Sequence, residues 1–232
     1  YDRFSPQPTL KGINLKLEEG KVTAIVGASG SGKTTVMKLI LGYSKEYDGS
    51  IKIGGRNLLS YNMDSWRSKC GVVMQDGVLF ADTITGNITM SDTDYDEKRL
   101  KEACRIAQID NFIETLPLKY NTRIGHNGMG LSAGQKQRIL IARAVYRKPQ
   151  YLFMDESTNA LDANTEAKIV DNLEKFYRGR TVLLIAHRLS TVRKADKIFV
   201  MSQGRIIESG THATLLKEHG EYYRLVKNQL ET

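Results

Sequence analysis

The fold is decided by residues 22–34, which read VTAIVGASGSGKT. Residues 22–26 are apolar or β-branched, as is typical of a strand buried in a parallel sheet. From Gly27 to Thr34 the chain matches the pattern G-x-x-x-x-G-K-[ST] at every fixed position. A helix is predicted to follow over residues 33–42. The stretch therefore predicts a strand, a glycine-rich loop and a helix in direct succession.

Each residue type in this loop suits the binding of phosphate groups. Glycines let the backbone turn its N–H groups inward, and the helix N-terminus adds the positive end of its dipole. Lys33 can reach the β and γ phosphates of a nucleotide, and the Thr34 hydroxyl can bind Mg²⁺. A glycine-rich turn with a chance lysine is disfavoured, because the strand and the helix are both in place. The predicted nucleotide-binding residues are Gly27, Ser29, Gly30, Ser31, Gly32, Lys33, Thr34 and Thr35.

Outward from this loop, strand-like and helix-like runs alternate. Further strands are predicted at 50–55, 71–76, 151–156 and 181–187, a helix at 163–177, and a hairpin at 197–210 that turns at Gln203-Gly204. Two helices close the chain, and residues 83–147 have helical periodicity with few strand signals. This pattern predicts an α/β fold with a doubly wound, mostly parallel sheet and an antiparallel β portion. We expect one domain over residues 1–232, with a core of 1–82 and 148–232 and an inserted α-helical subdomain at about 83–147.

Three predicted strands end in polar side chains. Asp155 and Glu156 follow the apolar run YLFM, Gln75 ends GVVMQ, and His187 ends TVLLIAH. The carboxyl edge of an α/β sheet is where ligands bind. We therefore predict Asp155 in the Mg²⁺ shell, and Glu156 as the general base or the residue that orients an attacking water. His187 is predicted to contact the γ-phosphate, and Gln75 either to bind Mg²⁺ or to hold the water.

Composition narrows the classes of partner. The chain is 41% hydrophobic and 26% charged, which is typical of a globular domain, and no run approaches the ~18 apolar residues of a membrane span. The net charge of +8 indicates either a solvated basic surface or an anionic partner. Basic residues interleaved with aromatic ones, the pattern that stacks bases, are not found. Cys70 and Cys104 have no metal-ligand spacing and suit a reducing compartment.

A second helix N-terminus of the kind that binds phosphate is predicted at LSAGQKQR, residues 131–138. Together with the strand YLFMDE that follows it, this motif resembles the signature of the ATP-binding cassette family. The chain contains GASGSGKTT, VVMQD, LSAGQKQR, LFMDES, NALD and AHRLSTV in the family's order, so the resemblance covers nearly the whole chain. The sequence departs from the family at Ala133, where glycine is usual. A methyl group there is tolerable at negative φ and costs affinity at positive φ, and we expect tolerance.

The resemblance implies a P-loop ATPase whose cofactors are ATP and Mg²⁺. Two cassettes would pack head to tail, so that the signature of one contacts the γ-phosphate bound to the other. The residues that correspond to the signature are Leu131, Ser132, Ala133, Gly134 and Gln135. Those of the D-loop, which would run along the partner, are Asn159, Ala160, Leu161 and Asp162. Tyr1 would stack on adenine, the metal ligands would be Thr34, Gln75 and Asp155, and the catalytic residues would be Glu156, His187 and Gln75.

Other segments resemble those of exporters. These are DTITGNI after Gln75 and the C-terminal segment that begins at Gly204. They imply transmembrane domains on the same polypeptide, a position at the cytoplasmic face of the inner cell membrane, and no nucleic-acid partner. The sequence of residues 66–88 is most similar to that of bacterial peptide exporters that carry a peptidase domain, which implies a peptide cargo. In TRIGHNG, a segment that resembles the loop touching the membrane domain, His126 stands where many exporters have glutamate.

Two other classes of function stay open. A soluble ATPase of the same family that acts on nucleic acid is supported by the charge of +8 alone. A P-loop kinase would need a pocket for its acceptor and has no reason to carry LSAGQ.

Overall fold

A computed structural model describes residues 9–125, 128–155, 162–186 and 189–230. The chain divides into two compact units, the first within Tyr1–Lys69 and Thr181–Thr232 and the second within Cys70–Arg180. The predicted helical stretch 83–147 falls inside the second unit. Nowhere in the described ranges is a helix both long enough and apolar enough to cross a membrane.

The elements are numbered in chain order. The strands are β1 Val22–Val26, β2 Lys52–Ile53, β3 Arg56–Asn57, β4 Cys70–Val73, β5 Asp82–Thr83, β6 Arg123–Ile124, β7 Tyr151–Asp155, β8 Thr181–Ile185, β9 Lys197–Ser202 and β10 Arg205–Gly210. The α-helices are α1 Lys33–Ile40, α2 Met63–Ser68, α3 Ile84–Thr89, α4 Glu97–Ile106, α5 Asp110–Thr115, α6 Ala133–Tyr146, α7 Ala163–Tyr177, α8 Leu189–Val192, α9 His212–Lys217 and α10 Glu221–Leu230. Strands and helices alternate as predicted, and the fold is of the mixed α/β class.

In the first unit, β1 is the central strand. It pairs in parallel with β8 on one side and with β9 on the other, so that Ala24 lies beside both Leu184 and Ile198. These strands are apolar because both of their faces are covered, and Ala24 and Ile198 are both 0% exposed. The strand β10 adds an antiparallel edge to β9. This arrangement confirms a mostly parallel sheet with an antiparallel portion.

The hairpin of β9 and β10 turns where the sequence predicts. Gln203 and Gly204 both have positive φ, 47° and 75°, as a two-residue type I′ turn requires. A side chain at Gly204 would lie 2.2 Å from the Thr9 carbonyl oxygen. Glycine at this position therefore lets residues 9–11 pass close to the turn, where Lys11 N–H donates to the Gly204 carbonyl at 2.8 Å.

In the second unit, β4 pairs in parallel with β7, with Gly71 opposite Leu152 and Val73 opposite Met154. The helix α6 packs against β4, α3 and α4. Close approach of α6 depends on Gly71, because a Cβ there would lie 2.7 Å from the Ala144 carbonyl oxygen. This unit thus holds α6 against a pair of parallel strands, β4 and β7.

Three predicted elements differ from the structure. The strand predicted at 71–76 is β4 and ends at Val73, so Gln75 follows the strand and does not end it. The strand predicted at 50–55 is reduced to Lys52–Ile53, which pairs with β3 in a separate two-stranded hairpin. Gly54 and Gly55, with φ of 55° and 82°, form its turn, so these glycines end the strand rather than extend it. The helical run from residue 97 is two helices, because Gln108 has a φ of 53° and separates α4 from α5. The helix predicted at 163–177 is confirmed as α7.

Candidate functional site

The loop between β1 and α1 has a backbone that requires its glycines. The φ angles of Gly27, Gly30 and Gly32 are 147°, 76° and 100°, in the region that disfavours side chains. Space is also limited. A Cβ would lie 2.1 Å from the Met201 carbonyl oxygen at Gly27, and 2.6 Å from Leu10 Cδ2 at Gly32. The local sequence thus determines a tight turn that leads directly into the N-terminus of α1.

Lys33 is the first residue of α1 and is only 5% exposed. Its Nζ donates to the carbonyl oxygens of Gly27 and Ala28, at 2.9 Å in both cases. The ammonium group therefore lies against the loop with its aliphatic chain buried. An ammonium is a compact charge with rotatable donors, so these carbonyl contacts can be exchanged for contacts with an anion.

Hydroxyl residues flank Lys33 in the sequence. The Ser31 side chain is 4% exposed, and its Oγ has no hydrogen-bond partner among the described residues. Such a group costs free energy when it is buried without a partner, which indicates a polar ligand at this position. Thr34 and Thr35 follow in the first turn of α1 and are half-buried. Hydroxyl oxygens and a lysine at a helix N-terminus fit a phosphate group together with a hard cation.

The second unit contains a buried carboxylate. Asp155 ends β7, is 1% exposed, and follows Phe153 and Met154, which are each 2% exposed. Burial of a charged carboxylate is favourable only with compensating partners, and a divalent cation is one such partner. Gln75 is exposed and lies two residues beyond the end of β4. Because Val73 is opposite Met154, Gln75 and Asp155 follow two neighbouring parallel strands at the same edge.

The predicted signature forms the N-terminus of α6. Ser132 is the N-cap, and its Oγ accepts from the Gln135 N–H at 3.1 Å. The Gln135 Oε1 accepts in return from the Ser132 N–H at 2.8 Å. This reciprocal capping box fixes the first turn, while Ser132 and Ala133 are exposed. Exposure of the first turn presents the positive end of the helix dipole to solvent.

Ala133 is the first residue of α6 and is absent from the residues with positive φ. The methyl group therefore causes no backbone strain, which is the condition under which tolerance was expected. Leu131, Gly134 and Gln135 are half-buried beside it.

Several predicted site residues lie outside the described residues, namely Tyr1, His126, Glu156, Asn159, Ala160, Leu161 and His187. Asp162, the last residue of the predicted D-loop, is described as the N-cap of α7. Its Oδ1 accepts from the Thr165 N–H at 2.9 Å, and this hydrogen bond lowers the pKa of the Asp162 carboxyl. A negative N-cap is favourable at the positive end of α7.

A cluster on the segment that follows Gln75 was not predicted from the sequence. Arg143 of α6 donates to the backbone carbonyls of Val78 and Asn87, and Asn87 bonds in turn to the backbone of Phe80. Partial burial lowers the pKa of the Arg143 guanidinium. The signal was an arginine inside the apolar run ILIARAVY, where a charged residue needs polar partners.

Known proteins resemble this chain along its length. A family model described as ABC transporter matches residues 10–159. The ABC multidrug transporter MDR1 of Cryptococcus neoformans is 45% identical over 232 residues, covering 96% of this chain and 16% of that protein. The ATP-dependent lipid A-core flippase of Saccharophagus degradans is 44% identical over 222 residues, covering 96% of this chain and 38% of the flippase.

A solved structure of a bacterial Atm1-family ABC exporter with ATP bound has a TM-score of 0.94 to this chain at 38% identity. The match covers 99% of this chain and 40% of that one. The chain therefore spans less than half the length of each of these relatives.

Proposed function

The chain belongs to the ABC transporter family as an ATPase domain, and we propose that it drives a membrane exporter by closing head to tail on a second cassette. The observation that carries this proposal is the glycine loop around Lys33, whose ammonium lies against the Gly27 and Ala28 carbonyls. The family relationship supports ATP as the nucleotide. Two bound Mg-ATP would lie between the paired cassettes.

The cargo is a separate part of the proposal. The sequence of residues 66–88 predicts a bacterial peptide exporter. The relatives are instead named for multidrug transport and for lipid A-core, and they come from a fungus as well as from bacteria. We infer that a drug-like or lipid-like cargo is favoured over a peptide.

In the proposed site, the loop from Gly27 to Gly32 surrounds the phosphates with backbone N–H groups, and Lys33 neutralises charge on the β and γ phosphates. Tyr1 stacks on the adenine. Thr34, Gln75 and Asp155 would hold Mg²⁺, and their oxygen donors match the preference of that cation. When bound, Mg²⁺ would supply neutralisation of charge on the phosphate oxygens.

Hydrolysis is assigned to residues beyond the end of β7 and β8. Glu156 accepts a proton from a water that attacks the γ-phosphorus, or orients that water. The bond from the γ-phosphorus to its bridging oxygen breaks, and ADP and phosphate are the products. His187 donates to the γ-phosphate and holds it in position.

The second cassette completes each site. Ser132, Gly134 and Gln135 are proposed to contact the γ-phosphate bound to the partner, with the exposed first turn of α6 as the donor surface. Asn159 to Asp162 would run along the partner. Transmembrane domains of the same polypeptide would hold both cassettes at the cytoplasmic face of the membrane. The exporters among the relatives disfavour the alternative of an ATPase acting on nucleic acid.

Light scattering of the Glu156→Gln variant tests this proposal. The variant should be monomeric alone and dimeric with Mg-ATP, because nucleotide is bound but not hydrolysed. Glu156→Gln combined with Ser132→Arg should bind ATP and stay monomeric. ATP-driven pairing of that double variant would contradict the contact across the interface. Turnover near the wild-type rate in Glu156→Gln would remove Glu156 from the role of base.

A further inference from the structure

The segment between β4 and α3 is held by Arg143, a residue of α6. Its Nη1 donates to the Val78 carbonyl at 2.9 Å, and its Nε donates to the Asn87 carbonyl at 2.7 Å. Its Nη2 donates to Asn87 Oδ1 at 3.0 Å, and the guanidinium carbon lies 5.0 Å from the centre of the Phe80 ring. One side chain thus joins the backbone of this segment to two helices.

The Asn87 side-chain amide takes part in this attachment with all of its hydrogen-bonding groups. The residue is 0% exposed, and its Oδ1 accepts from the Phe80 N–H at 2.8 Å as well as from Arg143. Its Nδ2 donates to the carbonyls of Phe80 and Thr83, each at 3.0 Å. Every donor and acceptor of the amide is therefore used, and displacement of the segment would leave buried polar groups without partners.

Among the described residues, the part of the segment that carries Gln75 makes no hydrogen bond to Arg143. Met74 and Gly77 form a turn, with the Gly77 N–H donating to the Met74 carbonyl at 3.1 Å. Gly77 also lies against α6, since a Cβ there would be 2.6 Å from Leu140 Cδ1. Gln75 itself is exposed. Gln75 lies three residues before the attached Val78, so the Cα atoms of these two residues are at most roughly 11 Å apart.

The same helix begins at the Ser132 N-cap. Arg143 lies eleven residues along α6 from Ser132, about 16 Å at the usual rise of a helix. Because α6 is continuous from Ala133 to Tyr146, a shift at its beginning would move Arg143, and Val78 with it. We propose that Arg143 is a positioning residue that, with Asn87, couples the Ser132 end of α6 to the position of the Gln75 amide. This inference rests on the proposed function, in which Ser132 and Gln75 both serve phosphate or metal binding.

The test measures Mg²⁺ dependence of nucleotide binding. Binding of fluorescent mant-ATP to the chain is titrated with Mg²⁺ for wild type, Arg143→Lys, Gln75→Ala and the double variant. Lysine keeps the charge of Arg143 but cannot reach three acceptors. We expect Arg143→Lys to raise the half-saturating Mg²⁺ concentration about threefold to tenfold, in the range of coupled neighbours. The double variant should match Gln75→Ala alone.

Arg180→Lys is the matched control. Arg180 also lies in the second unit, donates from Nε to the Pro149 carbonyl at 3.1 Å, and stacks on Phe176 at 3.9 Å. Among the described residues, Arg180 makes no hydrogen bond or ring contact with the segment 74–83, so its replacement should leave the Mg²⁺ dependence unchanged. An equal shift in Arg180→Lys, or multiplied effects in the double variant, would overturn the role of Arg143.

Hydrogen exchange gives a readout that does not depend on nucleotide. The Phe80 amide donates to Asn87, so Arg143→Lys should speed exchange in a peptide covering 74–83, whereas Arg180→Lys should not. Asn87→Asp keeps the acceptor atom and removes both N–H donations, and it should act in the same way. Unchanged exchange in both variants would overturn the inference. A wild-type chain that binds no Mg-ATP would overturn the proposed function and the inference together.

Discussion

At the residue scale, the phosphate loop depends on steric demands and on one charge. The Gly27 backbone, between β1 and α1, passes so close to the Met201 carbonyl that no Cβ fits. Lys33 then begins α1 with its charge held by two loop carbonyls. The steric requirement belongs to Gly27 and the charge belongs to Lys33, so single substitutions test the two separately.

Replacement of Lys33 by alanine should weaken ATP binding about 10- to 100-fold, because a charge-assisted contact to phosphate is lost. Equilibrium titration with mant-ATP measures the change. Lys38→Ala is the control, since Lys38 lies in the last turn of the same helix. Equal loss of affinity in both variants would show that general positive charge, rather than the position of Lys33, is responsible.

Gly27→Ala should lower the free energy of unfolding by roughly 2 kcal/mol, because it combines a clash with an unfavourable φ of 147°. Urea denaturation followed by far-UV circular dichroism measures this loss. Gly130→Ala provides the comparison, as a Cβ at Gly130 meets nothing within 4 Å. If the two variants have the same free energy of unfolding, the close approach of Gly27 to Met201 does not affect stability.

At the element scale, two helices begin with the same device. The helix α6 has a capping box between Ser132 and Gln135, and α9 has one between Thr211 and Thr214. Both satisfy N–H groups that a helix otherwise leaves without partners. The proposed function gives the first of these boxes a second role in binding phosphate, and the second box has none.

The variants Ser132→Ala and Thr211→Ala should therefore lose similar stability, about 1 kcal/mol each, through loss of the N-cap. In the Glu156→Gln background, Ser132→Ala should weaken ATP-driven pairing, while Thr211→Ala should pair normally. Thermal denaturation and light scattering measure the two effects. Normal pairing of the Ser132→Ala chain would contradict the assigned phosphate contact.

At the scale of the whole molecule, both thiols are buried. Cys70 is 7% exposed and Cys104 is 0% exposed, and burial raises the pKa of each thiol from 9.0 to about 12. Between these pKa values the unfolded chain loses protons that the folded chain keeps. The free energy of unfolding should therefore fall as the pH rises from about 9 towards 12.

A thiol reagent at pH 8 should label neither cysteine in the folded chain and both in 8 M urea, since the thiolate is the reactive form. Mass spectrometry counts the labels. Replacement of both cysteines by alanine should reduce the loss of stability above pH 9. Rapid labelling of the folded chain would contradict the burial of these side chains.

Prediction from sequence succeeded where the physical constraint is local. Positions Gly27 to Thr34 were found because a tight turn needs glycine within a few residues, and the helix α7 because its caps and periodicity are continuous. The strand predicted at 50–55 was wrong in extent, because two glycines suit either a strand end or a turn. The roles of Glu156 and His187 stay predictions, since both lie outside the described residues.

By itself, the sequence determined the α/β class, the phosphate loop and the start of α6, because these depend on φ angles, periodicity and neighbouring side chains. Only the tertiary structure decided that the absence of a side chain at Gly71 lets α6 pack closely against β4. It also decided that Asn87 and Arg143 hold the segment that follows Gln75. Asn87 and Arg143 are fifty-six residues apart. A hydrogen bond between positions so far apart produces no periodic pattern in the sequence from which it could be predicted. Its two partners meet only when the chain folds.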